Sequence, residues 1–419
     1  MTDVTEAMDE TSAASAASAA SASAASAYTQ TAMGAMFDLA APQQNYVDMI
    51  AKGGYVEPMP GFGMSFARVD TEYVLRHHEE FSSAVEMNLG NTRPLIPLNV
   101  DPPRHSKYRK LLDPLFAPRH MDEQEEDITN RVNGYIDTFI DRGECNFSEE
   151  FAELFPSSVF LGLMGLPEDE LRMFLDMRDG ILHPDKKDPA ALTDPDVRAR
   201  VQATTGQEIY EYFGDLVDLR TKQPAEDIIT RFVQSEIDGE RLTRNDILDI
   251  CFVFLIAGLD TVSDTLTCSY AFLAQHPGHR QQIVDDPSII PAAVEELLRW
   301  ESPVPTGVPR RTDTAVTLPS GTEVGAGTAV VVMYGAANMD PAAYPDPFEV
   351  RFDRETNPHI AFGGGVHRCL GSHLARRELR VTLREWHRRI PEYRIKPGHE
   401  ALEYPPGLRH VKDLTLTWS

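Results

Sequence analysis

FGGGVHRCLG, residues 362–371, sets one cysteine behind three glycines and a histidine, with no second cysteine near it. A zinc site there would need further thiolates or imidazoles at ligand spacing, and a disulfide would need a partner. Cys369 falls where an irregular Gly-rich turn meets the start of a helix expected over residues 373–390. Backbone N–H groups and the helix dipole at such a start favour thiolate over thiol. Gly363, Gly364 and Gly365 permit positive φ and let the backbone pass close to a flat, bulky object. Phe362 is placed to pack beside the sulfur. A lone thiolate in this setting suits the axial position of a haem iron. The alternative is a buried structural cysteine, which is the reading for Cys145, Cys251 and Cys268.

Outward from that stretch, the chain of 419 residues shows no Gly/Ser/Pro-rich linker beyond its N-terminal part. It reads as one large domain, residues 37–419, long enough to enclose a cofactor. Residues 1–36 form an Ala/Ser-rich tail; TSAASAASAASASAASA (11–27) offers no face to bury and is expected to be disordered. A net charge of −26 argues against nucleic acid as a partner, because phosphate binding needs a basic face. Four scattered cysteines make no disulfide framework, and the first residues carry acids rather than a basic leader. Both point to a reducing cytoplasm. The most apolar run, CFVFLIAGL (251–259), is too short to span a bilayer, so no membrane anchor is expected.

The fold class expected is mainly α with a small β region. Residues 62–69 read as a short strand before a helix in DTEYVLRHHEEF. Residues 82–100 form an irregular but apolar loop of the kind that walls a pocket. LTRNDILDICFVFLIAGLDTVSDTLTCSYAFLAQHP (242–277) reads as one helix of some thirty residues, about 45–50 Å long at 1.5 Å per residue. Thr243 with Asp246 resembles a capping box at its start, and His276-Pro277 ends it. DPSIIPAAVEELLRWESP (286–303) is a shorter helix, and residues 314–334 alternate as hairpin strands. The last helix carries Leu379, Leu383, Trp386 and Ile390 at helical spacing.

Within the long helix, Thr261 can bond the carbonyl of Ala257 four residues back and loosen the backbone ladder. With the small Ala257 and Gly258 beside it, this opens a notch of the kind found at functional sites. A hydroxyl beside the Asp260 carboxylate makes a plausible proton relay.

FGGGVHRCLG resembles the cysteine-ligand motif of the haem-thiolate monooxygenases, the cytochrome P450 family. The resemblance runs from about residue 40 to the end. It continues through AGLDTV (257–262), EELLR (295–299) with FDRETNPHIAF (352–362), DPPRHSKYRKLL (101–112) and AANMDP (336–341). It implies the P450 fold, with haem b between the long helix and the Cys369 loop. It also implies Cys369 as iron ligand, and Phe362, Gly371, Ala257 and Gly258 against the cofactor. His105, Arg109, Arg310 and His367 would hold the propionates, with Arg311 adjacent to Arg310 as the alternative. Thr261 would hold partly reduced oxygen, and Asp260 would deliver protons. Glu296, Arg299 and Arg354 would form a structural triad bracing the cysteine turn. In AANMDP the family often carries Arg where Met339 stands.

By the same resemblance the pocket is lined by Val85, Met87, Leu89, Leu95, Phe254, Ala257, Val304, Val308 and Leu408. That apolar set implies a lipophilic substrate: a terpenoid, a branched lipid or a steroid. The closing helix and LTLTW ending resemble the bacterial terpene-oxidising branch. No flavin- or ferredoxin-like segment is present, so electrons are expected from NAD(P)H through a reductase and an acidic iron–sulfur ferredoxin. Arg104, Lys107, Arg109, Lys110, Arg368, Arg376, Arg377 and Arg380 make a basic face for its docking. The expectation is a monomeric monooxygenase using O2. A peroxide-driven peroxygenase and a non-catalytic haem sensor are the rival readings.

Overall fold

The computed structural model describes residues 38–237 and 239–419. The Ala/Ser tail lies outside the described residues. The helices that position the site are α1 (Pro42–Ala51), α2 (Arg68–Arg76), α3 (Arg104–Leu112), α4 (Glu125–Asp137), α5 (Leu154–Met164), α6 (Leu171–Leu182) and α7 (Pro195–Lys222). They are followed by α8 (Arg244–Gly258), α9 (Thr261–Gln275), α10 (Pro277–Asp285), α11 (Ile290–Glu301) and α12 (Ser372–Arg389). Strands are short: β1 (Tyr55–Met59), β2 (Phe62–Ser65), β3 (Glu144–Asn146), β4 (Arg310–Arg311), β5 (Ala329–Val332), β6 (Arg394–Ile395) and β7 (Thr415–Thr417). One sheet runs β1-β2-β5-β4, with β2 and β5 parallel, and a second runs β6-β7-β3. The expected strand over 62–69 stops at Ser65, because the Arg68 N–H is held by Asp340 Oδ2 at 2.8 Å as α2 begins.

The capping box forms as its spacing predicts: the Asp246 amide donates to Thr243 Oγ1 at 3.1 Å, and the Thr243 amide to Asp246 Oδ2 at 3.0 Å. The single long helix does not form. It divides into α8 and α9 at Leu259 and Asp260. Side chains replace helical amides at the break. Thr261 Oγ1 donates to Ala257 O at 3.1 Å, while Leu259 O accepts from Ser157 Oγ at 3.4 Å and Arg178 Nη1 at 3.5 Å. Carbonyls so satisfied carry no penalty for leaving the ladder.

Two apolar cores flank α8 and α9. One gathers α4, α9, α11 and α12 around fully buried Trp386, whose ring meets Phe147, Phe151, Tyr270 and Phe139 at centroid distances of 5.0, 5.4, 5.2 and 5.8 Å. The other joins α5, α6, α7 and α8 with the loop at 95–100. Burying such side chains stabilises by about 1.5–3 kcal/mol each, so the two cores fix α8, α9 and α12 as a rigid frame.

Candidate functional site

The Cys369 turn is set by backbone close approach. Gly363 and Gly365 take φ of +66° and +64°, and a Cβ on Gly365 would lie 2.0 Å from the Leu75 carbonyl oxygen of α2. The Cys369 amide donates to Phe362 O at 2.9 Å, folding the turn back on itself. Arg376 stacks over Phe362 at 4.4 Å, and Arg109 Nη1 donates to Arg368 O at 2.8 Å. Cys369 is exposed, whereas Cys145, Cys251 and Cys268 are buried. α12 begins at Ser372, one residue before the expected start, and desolvation by surrounding protein pushes the thiol up. The Gly371 amide and Arg109, Arg368 and Arg376 pull in the opposite direction.

A second opening lies on α8. Every residue from Ile247 to Ile256 is buried, yet Ala257 is exposed, and Gly258 and Thr261 are half-buried. Gly258 meanwhile packs on Phe160, where a Cβ would come within 2.5 Å of the ring. Ala257, Gly258 and Thr261 thus leave an accessible gap in an otherwise buried helix run.

The propionate candidates cluster. His105 on α3 and His367 meet at 4.1 Å between ring centroids, their planes tilted by 47°. Both nitrogens of His105 and Nε2 of His367 are buried without a partner. Burial, then the Arg109 and Arg310 charges, push His105 down to about 4. Burial with Arg310, His105 and Arg109 takes His367 to about 2. Arg310 is 4 % exposed and, among the described residues, donates only to the Val308 and Pro309 carbonyls, at 3.1 and 3.3 Å. Arg311 instead meets Asp313 at the surface, at 3.2 Å. Orphaned buried donors under net positive potential call for an anion. The residues present therefore fit a group with two carboxylates beside an exposed sulfur. Among the described residues, no group of three or more His, Cys, Asp or Glu is placed to hold a bare metal ion.

Thr261 and Asp260 stand at the helix break, but Asp260 is already engaged. Its Oδ2 meets His183 Nε2 at 2.8 Å and its Oδ1 meets Arg178 Nη1 at 3.5 Å. Burial raises the Asp260 carboxyl, but His183, Arg178 and His410 outweigh it and hold it well below the usual range. Sequence reasoning missed His183 and Arg178. They lie some eighty residues upstream, and no spacing rule connects them to Asp260.

The triad residues meet in the core. Glu296 accepts from Arg299 Nε and Nη2 at 2.9 and 2.8 Å, from Arg354 Nε at 2.9 Å, from the Arg351 amide at 2.9 Å and from Asn357 Nδ2 at 2.9 Å. Met339 is buried and its sulfur accepts from Arg299 Nη1 at 3.4 Å, so the residue that departs from the family pattern touches the triad.

Of the pocket candidates, Met87, Leu89, Val304, Val308 and Leu408 are partly open, whereas Val85, Leu95 and Phe254 are buried. Leu95 is 0 % exposed, packed in the core, and supports the loop rather than facing open space. Arg93 fastens this loop to α8 through Asp249, at 2.9 Å, and stacks on Tyr210 of α7 at 4.8 Å. The turn bearing Leu408 is held by Arg409, whose Nε meets Glu301 at 2.8 Å and whose guanidinium also donates to the Leu39 and Ala40 carbonyls.

The expected basic face is largely paired within the chain. Arg376 and Arg380 meet Glu295 at 2.7 and 3.6 Å, Arg377 meets Asp122 and Glu125, and Arg104 meets Asp246 at 3.4 Å. A positive potential persists around Cys369: burial, then Arg368, Arg376 and Arg380, lower the His373 pKa.

The comparisons with known proteins agree with this geometry. A family model described as Cytochrome P450 matches residues 195–389. A probable cytochrome P450 127A1 from Sinorhizobium fredii is 33 % identical over 351 residues, covering 84 % of this chain and 80 % of that protein. The chain belongs to the cytochrome P450 family. A steroid C26-monooxygenase from Mycolicibacterium smegmatis is 32 % identical to this P450 over 330 residues, 76 % of the chain and 78 % of the relative. The crystal structure of CYP101J2 superposes with a TM-score of 0.78 at 30 % identity, over 90 % of this chain and 93 % of that one. The mainly α P450 fold and a haem-iron monooxygenase activity follow from this membership. Among the described residues, no helix of this P450 is long and apolar enough to cross a membrane.

Proposed function

We propose that this P450 hydroxylates a lipophilic small molecule: a terpenoid, a branched lipid or a steroid. The reaction is RH + O2 + 2 e⁻ + 2 H⁺ → ROH + H2O. NAD(P)H supplies the electrons through a ferredoxin reductase and an acidic iron–sulfur ferredoxin. One observation carries the reading: exposed Cys369 shares its surroundings with the unpartnered buried imidazoles of His105 and His367 and the enclosed Arg310. Residues 37–419 then form one haem domain, working as a monomer in the cytoplasm.

When bound, haem b supplies dioxygen activation. Cys369 would ligate its iron, and Phe362, Gly371, Ala257 and Gly258 would lie against the cofactor. His105, Arg109, Arg310 and His367 would hold the propionates, which would supply partners for the unbonded His105 nitrogens and His367 Nε2. Thr261 presents a hydroxyl at the helix break, and Asp260 delivers protons once its hold on His183 loosens. Glu296, Arg299 and Arg354 brace the cysteine turn. Val304, Val308, Leu408, Met87 and Leu89 give the substrate an apolar wall, with Val85 and Phe254 behind them. The printed name of the Mycolicibacterium relative, a steroid oxidiser, supports a lipophilic substrate.

The first test is the carbon monoxide spectrum of the reduced protein. Sulfur-anion ligation gives a red-shifted Soret band that C369A must lose; a band retained in C369A would overturn the reading. Spin-state titration against terpenoids, fatty acids and steroids then narrows the substrate. Turnover with ferredoxin should fall as ionic strength rises. Indifference to salt would remove the basic face around Arg368 from docking.

A further inference from the structure

Asp264 lies one turn beyond Asp260, its amide bonded to the Asp260 carbonyl at 2.9 Å. Its side chain is 6 % exposed, and Oδ2 has no hydrogen-bond partner. Oδ1 lies 3.7 Å from His410 Nδ1, which is committed to the Leu408 carbonyl at 3.1 Å. The other charges facing this cluster are taken. Arg178 is shared among Glu153 at 2.6 Å, Asp179 at 2.5 Å and Asp260 at 3.5 Å. Lys186 meets Asp179 at 3.2 Å, and His183 meets Asp260 at 2.8 Å. An ionised Asp264 would be a buried anion beside a second anion, with no cation donating to it. Such a group keeps its proton. Burial and the charge on Asp260 accordingly push the Asp264 carboxyl well above the usual range, against weaker opposition from Arg178 and Lys186.

We propose that Asp264 is the proton-holding member of a two-carboxyl relay with Asp260, refilled through the His183 and His410 imidazoles. The proposal rests on the monooxygenase reading, whose reaction consumes two protons for each oxygen inserted. The O–H bond of Asp264 breaks and an O–H bond forms on Asp260, which releases His183. Asp260 passes that proton toward the oxygen held at Thr261. The Asp264 carboxylate recovers a proton from His410 or His183, and each of these recovers one from water. The two rings lie 5.8 Å apart, and their side chains are 20 % and 19 % exposed, so both reach solvent. No electron moves within the relay. Asp264 acts through Asp260 and is a positioning residue rather than a catalytic one.

The test uses the isosteric D264N holoenzyme, with E378Q as control because Glu378 is also buried with an unpartnered Oε2. Infrared spectra at pH 7 should show neutral carboxylic-acid bands that shift in D2O. D264N should delete one and E378Q another. With the thiolate Soret band retained, D264N turnover should fall about tenfold or more at pH 8, and less at pH 6, with a larger solvent isotope effect. Burial lowers the His410 pKa, so its protonated form is scarcer at pH 8 and a bypass through it weakens there. A wild-type spectrum lacking every acid band except the one E378Q removes would overturn the proposal, even if D264N failed to fold. So would D264N with the wild-type rate and isotope effect at both pH values. Failure of the haem-thiolate reading would show separately, as a missing red-shifted Soret band in the wild type.

Discussion

Replacing Glu296 with alanine strips Arg299 of the carboxylate it is paired with while leaving the guanidinium in the core. Arg299 is 0 % exposed, and what remains to it are the carbonyls of Asn338 at 3.2 Å, Pro347 at 3.0 Å and Glu349 at 3.2 Å, with the Met339 sulfur. Breaking a buried pair from one side costs about 3–5 kcal/mol, because the surviving charge is uncompensated. Arg354 and the Arg351 amide lose their acceptor in the same step. An unfolding entropy of about 2.1 cal/mol/K per residue over roughly 380 residues gives about 0.8 kcal/mol/K. The expected fall in melting temperature is therefore about 4–6 °C. Far-UV circular dichroism reads the global transition, and Soret absorbance reads the cysteine turn. The Soret signal should fail first, since Arg354 and Asn357 lie on the segment leading into that turn. A Glu296→Ala protein melting within about 1 °C of wild type, with its thiolate spectrum intact, would refute the argument.

Gly365→Ala forces a Cβ against the Leu75 carbonyl at positive φ, so it should lose haem on purification, while Gly364→Ala, with only Leu75 side-chain atoms at 3.5 Å or more, should keep it. Thr261→Ala should retain haem and the thiolate band but send electrons to peroxide, read as NAD(P)H consumed without hydroxylated product; unchanged coupling would remove Thr261 from the mechanism. Burial raises Glu295, but its bonds to His359 and Arg376 outweigh that and bring its carboxyl from 4.5 to about 2. A carboxyl depressed on folding stabilises above its unfolded pKa and loses that contribution as pH falls. The melting gap between wild type and Glu295→Gln should be full above about pH 5 and close progressively between 4.5 and 2. A gap that stays constant with pH would refute it.

Local rules carried the sequence reading far at some places and stopped abruptly at others. The capping box at Thr243, the end of α9 at His276 and the buried face of α12 depend on residues within a turn or two of each other. The Glu296 cluster and the Cys369 turn were legible because resemblance supplied the distant partners. The helix break was legible in part: the bond from Thr261 to the Ala257 carbonyl forms at 3.1 Å as expected, but the full division of the helix was not foreseen. No proline or glycine pair stands at Leu259 and Asp260, and the apolar period runs straight through. What divides the helix is tertiary: Ser157 and Arg178 claim the Leu259 carbonyl from two other helices. The internal pairing of the basic face was hidden for a related reason. Counting cations along α12 did not reveal that Asp122 on the short helix before α4, Glu125 on α4 and Glu295 on α11 come to meet them. Asp264 also escaped, because a lone aspartate in a helix gives no sign of its burial.

Arg409 carries a practical consequence for anyone shortening this chain. Its guanidinium strings the carbonyls of Leu39 and Ala40 to Glu301, and its own amide is pinned to the Pro303 carbonyl at 2.8 Å. Chains cut ahead of Leu39 keep that knot. Cuts past Ala40 untie it, and the loosened edge is the one next to Leu408, where a guest molecule would be gripped.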